Sequence, residues 1–203
     1  MSKITATFWD VGGVLLTNAW DRTQRQHALA SFGLDEMEFE DRHDMLVSSF
    51  ERGKISLQDY LARTIFYRPR YFTPQQFTEC MYSLSRADHD TLQIAQSLAA
   101  SRKYLMATIN NESTELNLYR IHTYGLREIF ELFISSCFVG LRKPEEGIYR
   151  LALEITQRPP EECCFIDDRE LNLESASKLG MQVIHMENAQ QLRQDLQKLG
   201  LTP

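Results

Sequence analysis

The sequence predicts an α/β protein with a doubly wound, parallel five-stranded sheet and an inserted α-helical segment. From residue 88 onward, helical stretches alternate with short apolar runs that are typical of buried strands. Such alternation requires parallel strands with helices on both faces of the sheet. The apolar run 4–9 supplies a first strand, and the intervening region 19–86 has helical periodicity and needs no strand.

Each element follows from its own apolar pattern and its breaks. The predicted strands are 4–9, 103–107, 132–135, 163–166 and 182–185. The predicted helices of the alternating part are 88–101, 112–123, 145–156, 171–179 and 189–199. The predicted helices of the insertion are 22–32, 35–50, 56–66 and 73–84. Ser56 before Asp59, and Thr73 before Pro74, are signals for helix starts. We therefore expect a core domain of residues 1–17 and 87–203 and a helical domain of residues 18–86.

Composition and charge restrict the classes of function. The chain has 203 residues, of which 43% are apolar and 25% charged, and a formal net charge of -6 at pH 7. This acidic balance argues against nucleic acid or an anionic membrane as the main partner. No stretch reaches membrane-spanning length, and Met1 to Lys3 lead directly into the first strand, so we expect a cytoplasmic protein. The four cysteines form no C-x-x-C pair and are expected to be buried free thiols.

The end of the first strand carries a carboxylate. Asp10 follows Trp9 and precedes two glycines, Gly12 and Gly13. An open α/β sheet presents a nucleophile or a metal ligand in this way, at the carboxyl edge of its strands. Glycine also serves such turns for purely conformational reasons, so this stretch alone leaves both interpretations open.

Further polar residues follow the later strands. Thr108 ends the second predicted strand, Asp167 and Asp168 follow the fourth, and Lys143 lies in a loop that leads into a helix. With Asp10, these residues are expected at the sheet edge where doubly wound proteins bind ligands. Crowded carboxylates repel one another, and a divalent cation with few protein ligands relieves that repulsion, which favours Mg²⁺. An ammonium group and a hydroxyl beside that cation suit a phosphoryl group.

Each of these residues also has a structural alternative. Asp167 and Asp168 could cap the helix that begins near residue 171. Thr108 could be an ordinary strand-end residue, and Lys143 could be a solvated loop lysine. Their joint occurrence at the ends of alternating elements favours a shared site.

In these motifs the sequence resembles the haloacid dehalogenase-like (HAD) hydrolase superfamily, most closely its phosphatase-like branch with a helical cap after the first strand. The resemblance covers nearly the whole chain and implies a Rossmann-like core with the helical insertion as cap domain. The motifs that carry it are Asp10-Val11-Gly12-Gly13-Val14, Thr108, Gly140-Leu141-Arg142-Lys143-Pro144-Glu145, Phe165-Ile166-Asp167-Asp168 with Asn172, and Glu51-Arg52-Gly53-Lys54-Ile55-Ser56.

The resemblance implies a role for each residue. Asp10 would attack phosphorus and form an aspartyl-phosphate, which water then hydrolyses. Mg²⁺ would be held by the Asp10 carboxylate, the Gly12 main-chain carbonyl and Asp168. Asp168 is preferred to Asp167 because Asp168 and Asn172 have the four-residue spacing of the family's fourth motif. Asp167 and Asn172 would then support the ligands from behind.

The resemblance also assigns the phosphate ligands. Thr108 and Lys143 would bind the phosphate group, and Lys143 would offset the charge of Asp10. Relatives often have asparagine after the threonine, whereas this chain has Ile109, and Asn110 or Asn111 could take over its polar contact.

One position departs from the family pattern in a way that affects the chemistry. The usual hydrolases carry a second aspartate two residues after the nucleophile, as general acid and base, where this chain has Gly12. A positioned acid or base contributes about 10² to 10⁴ in rate. Gly12 therefore predicts a slow enzyme, a substrate with a good leaving group, or an acid supplied by the cap or the substrate.

The leading hypothesis is a Mg²⁺-dependent phosphatase of a small metabolite such as a sugar phosphate, with the cap excluding water. One alternative is a weakly active or non-catalytic member that binds a phosphometabolite or a protein, because Gly12 lacks the acid. A further alternative is a 2-haloacid dehalogenase that uses Asp10 on carbon, although that chemistry needs no metal. We expect a monomer or homodimer. Substrate specificity is expected to come from cap residues such as Trp20, His43, Arg52 and Tyr60.

Overall fold

The structure is a computed structural model that describes residues 3–18 and 20–203. The predicted start of the helical region at Ala19 lies outside the described residues. The strands are β1 (Ala6–Trp9), β2 (Leu105–Asn110), β3 (Leu132–Ser135), β4 (Cys163–Asp167) and β5 (Gln182–His185). The α-helices are α1 (Arg22–Ser31), α2 (Glu36–Glu51), α3 (Leu57–Thr64), α4 (Pro74–Ser83), α5 (His89–Ser101), α6 (Thr114–Thr123), α7 (Ser136–Val139), α8 (Glu146–Thr156), α9 (Glu170–Lys178) and α10 (Ala189–Lys198).

The strands form one parallel sheet in the order β3-β2-β1-β4-β5. β1 lies at its centre, where Trp9 is in register with Thr108 of β2 and with Ile166 of β4. The direction of strand addition reverses at β1, and doubly wound proteins bind ligands beyond the carboxyl ends of the strands at such a point. Asp10, the residue after β1, therefore lies where a ligand is expected.

Two hydrophobic clusters cover the two faces of the sheet. One face presents Phe8 and Phe165 to the apolar sides of α8 and α9. The opposite face presents Trp9 and Met106 to the apolar sides of α5 and α10. Successive residues of a strand point to opposite faces, so helices on both sides of the sheet bury the two central strands β1 and β4 completely. The predicted doubly wound α/β class is confirmed.

Helices α1–α4, which we call the four-helix segment (residues 22–83), have a hydrophobic cluster of their own. Its buried members are Ala28, Leu29, Phe39, Phe50, Leu57, Tyr60, Leu61, Ile65, Phe72, Phe77 and Met81. Two of its helices begin at the predicted residues. The Ser56 side chain accepts a hydrogen bond from the Asp59 main chain, and Thr73 forms a capping box with Gln76.

The end of α2 attaches the four-helix segment to the loop that precedes Lys143. Glu51 pairs with Arg142 of that loop at 2.7 Å. The Arg52 guanidinium donates a hydrogen bond to the Gly140 carbonyl at 2.7 Å. The segment thus rests on the loop 140–145 through charged and polar contacts.

β2 is the strand whose predicted bounds differ most from the structure. We expected it to end before Thr108, but it continues to Asn110. The additional residues pair with β3, where Asn110 is in register with Ser135. Pairing between distant strands leaves no local mark in the sequence, which is why the strand end was predicted too early. The short helix α7, directly after β3, was not predicted either.

Among the described residues, no helix is both long and apolar enough to cross a bilayer. The four cysteines are free thiols, as predicted. Cys163 and Cys164 are buried in β4, whereas Cys80 and Cys137 are only partly buried.

Candidate active site

Asp10 is held at the carboxyl edge of the sheet by the strand before it and the turn after it. Its main-chain N–H donates to the Ile166 carbonyl of β4 at 2.9 Å, which continues the pairing of β1 by one residue. Its carboxylate accepts a hydrogen bond from the Val11 main chain at 2.8 Å. Only 8% of Asp10 is exposed. The carboxylate is therefore fixed, largely desolvated, and open on one side.

Lys143 lies between two carboxylates. Its ammonium group is 2.9 Å from Asp10 Oδ1 and 2.6 Å from Asp167 Oδ2, and its side chain is buried. Asn111 holds the Lys143 main chain on both sides, because its Oδ1 accepts from the Lys143 N–H at 2.8 Å and its Nδ2 donates to the Lys143 carbonyl at 2.9 Å. Asn111 is thus a positioning residue for the ammonium group.

Burial and neighbouring charges shift the pKa values of Asp10 and Lys143. Burial raises the pKa of Asp10 to about 7, an effect that Lys143 opposes and the charge of Asp167 reinforces. Burial alone would lower the pKa of Lys143, but Asp10 and Asp167 raise it above its usual range. The ammonium group therefore stays charged and favours the ionised form of Asp10.

Asp167 is fully occupied by protein contacts. Its Oδ1 accepts from the Arg169 main chain at 2.8 Å and from Asn172 Nδ2 at 3.0 Å, while its Oδ2 accepts from Lys143. It is completely buried. Asp167 is therefore a buried partner of the Lys143 ammonium group.

The Asp168 carboxylate has an acceptor oxygen that no described residue uses in hydrogen bonding. Its Oδ1 is buried and has no hydrogen-bond partner in the part of the chain that the structure describes. Its Oδ2 accepts from Asn18 Nδ2 at 3.2 Å. Carboxylate oxygens of Asp10, Asp167 and Asp168 lie within 4.8 Å of one another, and the described residues place one ammonium group, Lys143, against them. This surplus of negative charge and the unpartnered oxygen fit a hard divalent cation with oxygen ligands.

Thr108 is not brought to this site. It lies inside β2, in register with Trp9, so its side chain shares the sheet face of Trp9 and not that of Phe8 and Asp10. The Thr108 hydroxyl is buried and unpartnered among the described residues, away from the cavity in front of Asp10. The expected strand end at Thr108 was wrong, and Ile109 takes the sheet face that leads to Asp10.

A cavity of about 360 Å³ lies between the carboxyl edge of the sheet and the four-helix segment. Asp10, Gly12 and Lys143 line its floor, and Trp20 and His43 belong to its opposite wall. Six cationic side chains and four carboxylates line it, namely Arg22, Arg25, Arg120, Arg142, Lys143, Arg169, Asp10, Asp21, Glu51 and Glu112. The excess of cations suits an anionic ligand.

A hydrogen-bond chain links Trp20, Tyr60 and His43. Trp20 Nε1 donates to the Tyr60 hydroxyl at 3.1 Å, and this hydroxyl lies 2.7 Å from His43 Nδ1. Burial lowers the pKa of His43 to about 4. His43 is therefore neutral at the wall of the cavity.

Beside Gly12, the space for a side chain is already filled. A Cβ at Gly12 would lie 2.7 Å from Asn18 Oδ1 and 3.6 Å from Arg120 Nη1. Arg120 is 2% exposed, donates to the Thr17 carbonyl, and pairs with Glu112 Oε2 at 3.0 Å. A buried ion pair therefore adjoins the turn that follows Asp10.

Sequence reasoning missed Asn18, Glu112 and Arg120, and could not place Asn111. The run Asn110-Asn111-Glu112 after β2 was the available signal, since polar residues directly after a buried strand face the ligand edge of the sheet. Asn18 and Arg120 had no comparable signal, because long-range packing brings them to Gly12.

Comparison with known proteins agrees with this geometry. A family model of haloacid dehalogenase-like hydrolases matches residues 4–180. Flavin mononucleotide hydrolase 1 of Arabidopsis thaliana is 30% identical over 201 residues, covering 93% of this chain and 78% of that protein.

Two solved structures extend the comparison. A HAD family enzyme of Bacteroides thetaiotaomicron, in complex with magnesium and inorganic phosphate, has a TM-score of 0.74 at 20% identity and covers 91% of this chain and 94% of its own. An L-2-haloacid dehalogenase has a TM-score of 0.63 at 20% identity and covers 90% of this chain and 84% of its own. At these identities the structural matches establish a shared fold.

Proposed function

The chain belongs to the haloacid dehalogenase-like hydrolase family, and from this premise we propose that it is a Mg²⁺-dependent phosphatase of a small phosphorylated metabolite. The observation that carries the proposal is the grouping of Asp168 with Asp10 and Lys143 beside a cavity that is lined by more cationic than anionic side chains. The match to a flavin mononucleotide hydrolase supports a phosphate monoester as substrate.

Asp10 is the proposed nucleophile. Its carboxylate attacks phosphorus, the bond from phosphorus to the ester oxygen breaks, and an aspartyl-phosphate forms that water then hydrolyses. Lys143 holds Asp10 in its ionised form and offsets the charge of the bound phosphate. Since Thr108 lies on the other face of the sheet, Lys143 is the proposed phosphate ligand of the two that the sequence suggested.

The proposed Mg²⁺ ligands are the Asp10 carboxylate, the Gly12 carbonyl and Asp168. Asp168 is favoured over Asp167 because its buried Oδ1 is unpartnered among the described residues, whereas Lys143, Asn172 and the Arg169 main chain occupy Asp167. When bound, Mg²⁺ would offset the negative charge of Asp10 and of a phosphate group.

Gly13 offers a test of this ligand set. It has φ of +79°, and a Cβ there would lie 2.3 Å from Asp168 Oδ2 and 2.8 Å from Asn18 Nδ2. Gly13→Ala is therefore expected to displace Asp168 and weaken Mg²⁺ binding roughly 10- to 100-fold. Isothermal titration with Mg²⁺ measures this directly. Gly147→Ala is the control, since its added methyl makes only ordinary contact with Leu141; equal Mg²⁺ affinity of the Gly13 variant and wild type would remove Asp168 from the ligand set.

The proposed domain division follows the sequence prediction: a core of residues 1–17 and 87–203 and a cap of residues 18–86. The separate hydrophobic cluster of the four-helix segment supports it. Trp20 and His43 from the cap line the cavity above Asp10, so the cap would contact the part of the substrate beyond its phosphate.

Two other functions can be distinguished from phosphatase activity by experiment. A non-catalytic binding member is favoured by the glycine at position 12, and it would accept beryllium fluoride on Asp10 without turnover. A 2-haloacid dehalogenase would release halide without metal, and the free oxygen of Asp168 has no role in that chemistry.

The test of the proposed function is hydrolysis of p-nitrophenyl phosphate with and without Mg²⁺. We expect turnover that EDTA abolishes and added Mg²⁺ restores. A panel of sugar phosphates, nucleotides and flavin mononucleotide then identifies the substrate class. Absence of phosphate release from every ester, or release that EDTA does not affect, would contradict the proposal.

A further inference from the structure

The proposed reaction needs a proton donor that the turn after Asp10 does not contain. Breaking a phosphate ester leaves an alkoxide, which departs slowly unless it is protonated, and the attacking water must later lose a proton. Gly12 carries no side chain for either task. The donor must therefore come from another group that lines the cavity.

We propose that Glu112 is the general acid and base of this hydrolase, acting from its buried pair with Arg120 beside Gly12. The inference rests on the proposed phosphatase function. It assigns the acid and base to the segment after β2 and not to the turn after β1.

The other candidate groups on the cavity wall have their contacts elsewhere in the fold. Asp21 caps α1 by accepting from the Gln24 main chain at 2.8 Å. Glu51 pairs with Arg142 of the loop before Lys143. His43 is neutral because burial lowers its pKa to about 4, so it has no readily released proton near neutral pH. Among the described residues that line the cavity, Glu112 is the acid whose partner, Arg120, adjoins Gly12.

Geometry places Glu112 next to the nucleophile turn. It follows β2 at the same sheet edge as Asp10, is 7% exposed, and lines the cavity. Its Oε2 accepts from Arg120 Nη1 at 3.0 Å, and that nitrogen lies 3.6 Å from the position of a Cβ at Gly12. One guanidinium group therefore separates the Glu112 carboxylate from the place that a side chain at residue 12 would occupy.

Arg120 has donor capacity left for a ligand. Its Nε is buried and has no hydrogen-bond partner within residues 3–18 and 20–203. Buried donors without a partner are rare in folded proteins because leaving one unpaired costs about 1–3 kcal/mol. An oxygen of a bound ligand that reached Nε would satisfy this donor.

The surroundings of Glu112 suit proton transfer near neutral pH. Burial raises the pKa of Glu112 to about 7, although Arg120 lowers it, and Glu51 of α2 raises it further. Burial also raises the pKa of the Cys137 thiol of α7 to about 12, and the charge of Glu112 adds to this rise, so the thiol stays protonated. An acid with a pKa near the working pH is the most effective proton donor and acceptor.

The proton moves in two balanced steps. As the bond from phosphorus to the ester oxygen breaks, protonated Glu112 gives its proton to that oxygen and the alcohol leaves. The resulting carboxylate is stabilised by Arg120 and by the Ser113 main-chain N–H at 2.9 Å. It then takes a proton from the water that attacks the aspartyl-phosphate, which releases phosphate and restores the acid.

The test compares two esters that differ in leaving group. The quantity compared is the factor by which Glu112→Gln lowers kcat/KM on each ester. This factor is expected to be at least about 10² times larger for phenyl phosphate than for p-nitrophenyl phosphate, because the leaving group of the latter needs little protonation. Glu128→Gln, at an exposed position away from the cavity, is the control and should match wild type on both esters. Equal losses on both esters, or no loss on either, would overturn the proposal.

A measurement on the wild type covers the case in which the variant does not fold. The titration of Asp10 affects both esters in the same way. It therefore cancels in the ratio of kcat/KM for phenyl phosphate to kcat/KM for p-nitrophenyl phosphate. This ratio should fall as the pH rises through about 7, because Glu112 loses the proton that phenyl phosphate needs. A ratio that stays flat would overturn the role of Glu112, whereas a wild type inactive on both esters would overturn the phosphatase itself.

Discussion

We expect replacement of Asp10 by asparagine to abolish phosphate release, with a fall in kcat on the order of 10⁶-fold, as for other enzymes whose nucleophile is removed. Asparagine keeps the size of the side chain and an oxygen that can accept from Lys143. Its amide cannot form a stable acyl phosphate by attack on phosphorus. The measurement is p-nitrophenyl phosphate hydrolysis in saturating Mg²⁺, with intact-mass analysis of the protein after rapid acid quench.

Controls separate the nucleophile from general effects of charge. Asp41→Asn removes the same charge from an exposed position on α2 and should leave both turnover and the trapped phosphoprotein unchanged. The wild type should show a mass increase of one phosphoryl group that Asp10→Asn lacks. Substantial turnover by Asp10→Asn would exclude a covalent intermediate on this residue.

Replacement of Lys143 by methionine is expected to lower kcat/KM by roughly 10²- to 10³-fold, the usual cost of removing one preorganised charge-stabilising group. Methionine keeps an unbranched apolar stem of similar length but leaves Asp10 and Asp167 without their shared cation. Removing one partner of a buried ion pair typically costs about 3–5 kcal/mol of folding stability. Thermal unfolding and steady-state kinetics on the same preparation measure both effects.

The pH dependence of this variant has a defined sign. Lys143 lowers the pKa of Asp10 and so opposes the rise caused by burial. Without the ammonium group the pKa of Asp10 rises further, and the acidic limb of the pH–rate profile should move to higher pH. Lys178→Met, at an exposed position on α9, is the control. An unshifted acidic limb would mean that Lys143 does not act on Asp10.

The fold could be predicted because its signals are local. Apart from α7, the described α-helices and four of the five strands follow from short apolar runs, glycine breaks and capping residues. β2 was misjudged at its end because residues 108–110 are held by pairing with β3. That error also misplaced Thr108, since one residue along a strand reverses the face of the sheet.

The candidate site was predictable where its residues end strands or begin helices. Asp10, Lys143 and Asp168 meet as their positions indicated, and Asp167 supports Lys143. Arg120 could not be foreseen, because it lies within a helix whose pattern marks it only as polar. Its importance comes from packing against a turn about a hundred residues earlier, which only the folded chain reveals.

The loop 140–145 contacts both the edge of the sheet and the four-helix segment. Its Lys143 ammonium group lies against Asp10, and its other residues bind Glu51 and Arg52 at the end of α2. If the four-helix segment swung away from the sheet, these contacts would break and loosen the peptide that carries the cation. Opening of the cavity would then also weaken the activation of Asp10. An open molecule would be inactive, so the nucleophile would not react while the cavity is exposed to water.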